Sequence, residues 1–433
     1  MQPYSSRRAR LAAQLSPGLL ILPTSPELAR NADTGFPYRF DSSFYYLTGF
    51  AEPEAVLVIE TGGKPRSILF CRDKDIEREI WDGYRYGPAA AGEKFGFDEA
   101  HSINELDSKL IELLKNQPRV HFPLGADAGW DSRLTGWLNG VRGFVRAGIN
   151  VPTEVADPRD AIAEMRLFKD EHELAILQRA ADINVAAHKR AMRTAVPGTM
   201  EYAVEAELLH EYCRNGARFP AYGSIVATGA NACVLHYVEN TSRIADGDLL
   251  LIDAGGEYEG YASDITRTFP ANGKFSGPQK AVYEVVLAAH AAARGEARPG
   301  KRWNDMHDAA VNVLAQGLLD LKLLDGSLQQ VLETESYRQF YMHRTGHWMG
   351  LDVHDAGAYK INGEWRELQP GMVFTIEPGL YIRPAANVPS EFANIGIRIE
   401  DDAIVTASGH TLLTEGCPRS VAEIENWIAE SRK

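Results

Sequence analysis

The sequence predicts an α/β domain over residues 1–166, followed by an α+β domain over 167–433 with a pseudo-twofold internal repeat. Three observations predict it. The chain has 433 residues, too many for one ordinary domain and suited to two. Short apolar runs alternate with a helical pattern up to about residue 165. Beyond that point, the order helix, Pro-Gly, helix, acidic hairpin occurs twice.

In chain order, LLIL (19–22), AVLVIE (55–60), SILFC (67–71) and RVHFPL (119–124) read as strands. NELDSKLIELLKNQ (104–117) has apolar residues at helical spacing. The segment 170–192 is strongly helical and is stopped by Pro197-Gly198. A second helix follows, with Thr199 as its cap and Gly216 as its stop. Strands are predicted at 224–229 and through 249–269. The order then recurs. A helix begins at Ser276 and Pro278, the chain turns at Pro299-Gly300, and NDMHDAAVNVLAQGLL forms the next helix. Strands at 372–382 and 395–405 complete the unit. A repeat of this kind suggests two halves facing each other with a site between them. The alternative is that Pro-Gly merely ends two unrelated helices.

The composition, 45% hydrophobic and 24% charged, is that of a globular protein. A net charge of -14 argues against a nucleic-acid partner. No apolar run approaches a membrane span, and no signal-like stretch follows Arg7, Arg8 and Arg10, so no membrane association is expected. Cys71, Cys213, Cys233 and Cys417 lack metal-like spacing and are expected to be reduced, buried thiols of a cytoplasmic protein.

The chemistry concentrates in the hairpins. Asp253 ends an apolar strand, and Asp264 lies in the returning one. If the chain turns about Tyr258-Glu259 without a bulge, these two pair directly and face each other. Two carboxylates so close need a proton or a cation between them. In the second hairpin, Glu377 follows MVFTI, while Ile395, Ile397 and Ile399 share one face and Gly396, Arg398 and Glu400 the other. Taken singly, Asp253 could be a turn former and Glu400 a strand end or a partner of Arg398. Four acids on apolar hairpins point instead to a cation. HRTGHWMGLDVHD (343–355) adds His343, His347 and His354. The i, i+4 spacing of His343 and His347 imitates a zinc-binding helix, but Arg344 stands where that motif needs glutamate, and Gly346 weakens a helix. A loop or strand presenting one ligand and two supporting groups fits better.

Asp253, Asp264, His347, Glu377 and Glu400, in that order, resemble the five-ligand pattern of the pita-bread metallopeptidases. This family includes methionine aminopeptidases, proline dipeptidases and Xaa-Pro aminopeptidases. DAGGEYEGYASDITRTFP, HRTGHWMGLDVHD, TIEPGLYI and GIRIEDD are particularly similar to the aminopeptidase P group, and the likeness extends to a creatinase-like N-terminal domain.

The resemblance implies a pita-bread catalytic domain over 167–433. It also implies two divalent ions per chain, manganese by preference with zinc or cobalt as alternatives. Asp264 and Glu400 would bridge both ions, Asp253 would serve one, and His347 with Glu377 the other. A hydroxide held between the ions would attack the peptide bond before a proline in second position, with Glu377 as the proton shuttle. His354 and His236 match positions that steady the substrate, and Arg398 sets the charge balance near Glu400. His343 matches the wall of the proline pocket, and Tyr222 a further site residue. Asp41 resembles the acid near the substrate's free amine, against a helix cap. Trp81 resembles an aromatic at a subunit contact, against a core tryptophan. A homo-oligomer, dimer or tetramer, is implied. The competing functions are a proline dipeptidase and a non-catalytic peptide-binding relative; no obvious clamp for a carboxylate just after proline stands out, although Arg398 or another arginine could supply one.

Overall fold

The computed structural model describes residues 3–433, in two compact units that divide between residues 166 and 167. The first unit is built on a six-stranded mixed sheet. Its order is Glu99–Ser102, Arg66–Cys71, Val56–Thr61, Gly18–Pro23, Arg119–His121 and Glu154–Ala156. The central strands are apolar on both faces because both faces are covered. Leu106 and Leu110 from one helix, and Leu134 and Trp137 from another, pack against Leu19, Ile21, Val56 and Val58. The strand expected over 119–124 stops at His121, since Pro123 has no amide hydrogen with which to continue a ladder.

The second unit contains the repeat. Helices Glu171–Thr194 and Glu201–Arg214 pack together and precede the first hairpin. Helices Gly277–Glu296 and Trp303–Asp320 do the same before the second. Asp170 with Glu173, and Ser276 with Gln279, form reciprocal capping boxes at the first helix of each half. The cap expected at Thr199 is not made. The helix starts after Met200, without a side-chain cap. The chain there is held instead by backbone pairing, with Ile244 N donating to Thr199 O at 2.9 Å and Glu201 N to Ser242 O at 3.0 Å.

Each hairpin is interrupted. Leu249–Ala254 pairs with Ile265–Pro270, and beyond a break Gly256–Tyr258 pairs with Tyr261–Ala262. In the second half Val373–Ile376 pairs with Asp401–Val405, and Gly379–Ile382 with Ile395–Arg398. The register expected for the first hairpin is corrected. Asp253 lies opposite Thr266, not Asp264. The turn is centred on Glu259-Gly260, both in the left-handed region at φ 49° and 86°, as a tight primed turn requires. The slip of two positions leaves Asp253 and Asp264 on the same face.

All four cysteines are free. Cys71, Cys233 and Cys417 are buried, whereas Cys213 is exposed, contrary to expectation, because it faces outward from Glu201–Arg214. Among the described residues no helix is long and apolar enough to cross a membrane.

Candidate metal centre

The breaks in the hairpins supply the site. Asp264, Glu377 and Glu400 all lie where one strand pair ends and the next begins, and Asp253 lies one residue before such an end. A break frees a side chain to leave the regular in-and-out alternation of a strand. The two halves are stitched together there. Glu400 N donates to Thr266 O at 3.0 Å, and Asp264 N donates to Asp402 Oδ2 at 3.0 Å.

The histidine segment is a bent loop rather than a helix, paired to a strand only around Trp348. Trp348 forms a bridge with Phe374, Thr375 N donates to His347 O at 2.9 Å, and His347 N donates to Thr375 Oγ1 at 3.1 Å. This close approach explains Gly346, where a Cβ would stand 2.1 Å from Thr375 O. The ring nitrogen His347 Nδ1 lies 3.0 Å from Trp348 O, which leaves Nε2 facing Asp264 at 3.5 Å and Glu377 at 3.9 Å.

Polar contacts hold each carboxylate. The Tyr222 hydroxyl lies 2.7 Å from Asp253 Oδ1 and also reaches an Asp264 oxygen. Arg398 Nη2 donates to Asp253 Oδ2 at 2.6 Å, Nη1 to the Tyr381 hydroxyl at 2.7 Å, and Nε to Thr266 Oγ1 at 3.2 Å. The Thr266 hydroxyl donates to Glu400 Oε2 at 2.6 Å.

The balance of charge among these groups favours a cation. Burial, reinforced by the neighbouring acids, pushes Glu400 well above the carboxylate range. Burial pushes Glu377 up to about 7 and raises Asp253, though Arg398 opposes the latter shift. Burial works against the charge of His347, but its contact with Asp264 and the charge of Glu377 outweigh it and raise the imidazole to about 9. Burial likewise opposes the Asp264 charge, and His347 reverses this, holding Asp264 low. Without a metal, the four acids, two buried and two half-buried, are offset only by Arg398, by a protonated His347 and by protons that burial forces onto the carboxylates themselves. A divalent cation answers this deficit directly. Asp264, His347 and Glu400 each offer a ligand atom, all within 4.8 Å of one another. Asp253 and Glu377 flank this tight cluster. An oxygen-rich set with a single imidazole is a donor set that fits a divalent metal ion.

Ten of the twelve residues singled out in the sequence line one cavity of about 450 Å³: Tyr222, His236, Asp253, Asp264, His343, His347, His354, Glu377, Arg398 and Glu400. The His354 ring stands 4.3 Å from that of His347, nearly perpendicular to it. His343 Nε2 lies 2.8 Å from the Tyr381 hydroxyl, and burial holds its imidazole down to about 3, so it is neutral. Asp41 and Trp81 belong to the first unit. Asp41 caps the helix Ser42–Thr48, accepting from Phe44 N at 2.7 Å. Trp81 is 83% exposed, which removes the core reading, because its helix Ile76–Asp82 buries none of its residues.

Thr266, Tyr381 and Asp402 escaped the sequence reading. Thr266 lies two positions beyond Asp264, on the same face, and that spacing was a usable signal. Tyr381 and Asp402 act across more distant parts of the chain and left none.

Residues 175–407 match the model of metallopeptidase family M24, and residues 4–121 match the aminopeptidase P N-terminal domain. The chain is 43% identical over 435 residues to the Xaa-Pro aminopeptidase of Escherichia coli strain K12, covering 100% of this chain and 98% of the relative. The structure of the Pseudomonas aeruginosa aminopeptidase PepP superposes with a TM-score of 0.97 at 48% identity, covering 99% of this chain and 98% of that one. Zinc-substituted E. coli aminopeptidase P in complex with product gives a TM-score of 0.97 at 43% identity, covering 100% of this chain and 99% of that one.

Proposed function

Because this chain belongs to metallopeptidase family M24, we propose that Asp253, Asp264, His347, Glu377 and Glu400 hold two divalent ions, manganese by preference, and that the surrounding residues position a peptide with proline in second place. The reaction is metal-dependent hydrolysis of the peptide bond between an N-terminal residue and that proline, and the substrates are peptides. The clustering of Asp264, His347 and Glu400 within 4.8 Å of one another, in a cavity that also holds Asp253 and Glu377, carries the reading.

Asp264 and Glu400 would be shared between the ions, Asp253 would serve one, and His347 with Glu377 the other. Bound there, the ions supply an activated water as nucleophile and polarise the scissile carbonyl. Glu377 takes up a proton from the water and releases it to the proline nitrogen as the bond breaks. His354 and His236, at the exposed side of the cavity, donate to the oxygen that gains negative charge. His343, neutral and oriented by Tyr381, offers its ring edge to the proline. Tyr222 and Arg398 hold Asp253 in place.

For Asp41 and Trp81, the roles at the substrate's amine and at a contact between subunits rest on the resemblance alone. Ile76, Ile80, Trp81 and Tyr84 are 75%, 78%, 83% and 62% exposed, and an apolar cluster of this kind supports a homo-oligomer, dimer or tetramer. Four free cysteines agree with the reducing cytoplasm.

The test compares Ala-Pro, Ala-Pro-Ala and N-acetyl-Ala-Pro-Ala at matched concentrations. Cleavage of the tripeptide, and its loss on acetylation, are expected. Efficient hydrolysis of the dipeptide with the tripeptide untouched would mean a proline dipeptidase.

A further inference from the structure

Arg344 lines the same cavity as the metal centre but differs from Arg398 in every respect that matters for binding. Arg398 is buried and engaged by Asp253, Tyr381 and Thr266. Arg344 is exposed, so it stands at the cavity's rim. Its two partners are neutral. Nη1 donates to Asn304 Oδ1 at 3.1 Å, and the guanidinium carbon lies 5.1 Å from the Trp365 ring centroid. The Asn304 amide is itself fixed, its Nδ2 donating to Asp308 Oδ1 at 2.8 Å. Among the described residues no carboxylate forms an ion pair with Arg344. The guanidinium is thus oriented by a ring and an amide, while its charge stays uncompensated and most of its donors stay free.

The position suggests what it meets. In an aminopeptidase, a single residue precedes the scissile bond, and everything after proline must leave by the open side. Glu400 and Asp264 are 2% and 5% exposed and mark the closed end, whereas Arg344 marks the open one. Arg344 also directly follows His343, whose Nδ1 lies 2.6 Å from Arg344 O, so the group beside the proline ring and the rim cation are adjacent. One residue beyond proline advances the peptide by about 3.5 Å. A long arginine side chain covers that span.

We propose that Arg344 is a specificity-determining residue that binds a carboxylate on the leaving side of the substrate. Two sources share this chemistry: the main-chain carboxylate of a tripeptide, and an acidic side chain at the third position. A planar guanidinium pairs with either in bidentate fashion. The proposal rests on the aminopeptidase reading above.

The experiment measures kcat/KM for two substrate pairs, Ala-Pro-Ala against its C-terminal amide, and Ala-Pro-Asp-amide against Ala-Pro-Asn-amide. Wild type, Arg344→Gln and Arg344→Glu are compared at low salt, each with its metal content checked. Wild type should favour the charged member of at least one pair by about fivefold, the scale of a partly exposed ion pair. The pair that shows the preference identifies the source. Arg344→Gln should bring that ratio to near one. Arg344→Glu should invert it and favour Ala-Pro-Lys-amide over the aspartate peptide, which a merely structural role for the arginine would not produce. Equal wild-type rates within both pairs, or a preference that survives in Arg344→Gln, would overturn the proposal alone. Failure of wild type to cut any of these peptides would overturn the aminopeptidase reading, and the proposal with it.

Discussion

His347 and His354 stand ring against ring, 4.3 Å between centroids, and still do different work. His347 Nε2 points between Asp264 and Glu377, and the backbone on both sides of it is pinned to Val373–Ile376. His354 is exposed. His347→Ala should therefore lose metal first, whereas His354→Ala should keep its metal and lose on the order of a hundredfold in kcat. Metal analysis beside steady-state kinetics checks this, and equal metal content with equal rates would contradict the division. A second residue-scale prediction concerns acid stability. His188 is buried, its Nε2 lies 3.2 Å from Ala254 O, and burial lowers its pKa to about 4. Above about pH 6.5 the imidazole is neutral in both folded and unfolded chains. As the pH falls from there towards 4, the unfolded chain binds a proton that the folded one refuses, so stability declines by up to about 1.4 kcal/mol per pH unit. His188→Gln, which retains a donor for Ala254 O, should show a flatter decline over that window in denaturant titrations. Parallel curves would show that His188 does not carry the effect.

The elements deliver these residues through their interruptions. Strands Val373–Ile376 and Gly379–Ile382 are separated by Glu377-Pro378, and Ile395–Arg398 and Asp401–Val405 by Ile399-Glu400, so acids occupy the places where pairing lapses. Most of these strands were legible as apolar runs, and so were the helices as periodic segments, because both signals are local. The register of the first hairpin was not, since the two left-handed residues that centre its turn, Glu259 and Gly260, were not distinguished from the neighbouring Tyr258-Glu259. Nor were the bonds between the halves, Thr266 to Glu400 and Asp402 to Asp264, which link residues 134 and 138 positions apart. Periodicity carries no information at that range. The histidine segment yields a prediction of its own. A methyl group at position 346 would meet Thr375 O at 2.1 Å, so Gly346→Ala must push the segment away from Val373–Ile376 and displace His347. Metal affinity should fall by about 10- to 100-fold while the far-UV spectrum is retained. Unchanged affinity by calorimetry would mean that the backbone absorbs the methyl group elsewhere.

For the molecule as a whole, the doubled order of elements has a consequence for the site, since each half contributes two of the four proposed acidic ligands. Asp253 and Asp264 come from the first hairpin, Glu377 and Glu400 from the second. The five proposed ligands could be picked out in order because they sit in distinctive local contexts. Their convergence on one cavity depends on packing between halves that no local pattern encodes. When no metal is present, the four crowded acids, with Arg398 as their fixed counter-charge, are forced to take up protons against burial and mutual repulsion. Chelation should accordingly lower thermal stability as well as abolish activity, while leaving the apolar cores of both units folded. Bound ions at a thousand times their dissociation constant would contribute about 4 kcal/mol. The most direct measurement is a titration of metal-free protein with manganese, following bound ions per chain and activity on Ala-Pro-Ala together, in wild type and in Asp264→Asn and Glu400→Gln. The account predicts that wild-type activity appears with the ions and levels off at two per chain, and that both variants fall short in metal and lose turnover by orders of magnitude. Full activity with no more than a trace of metal, or near-normal turnover in either variant, would contradict it.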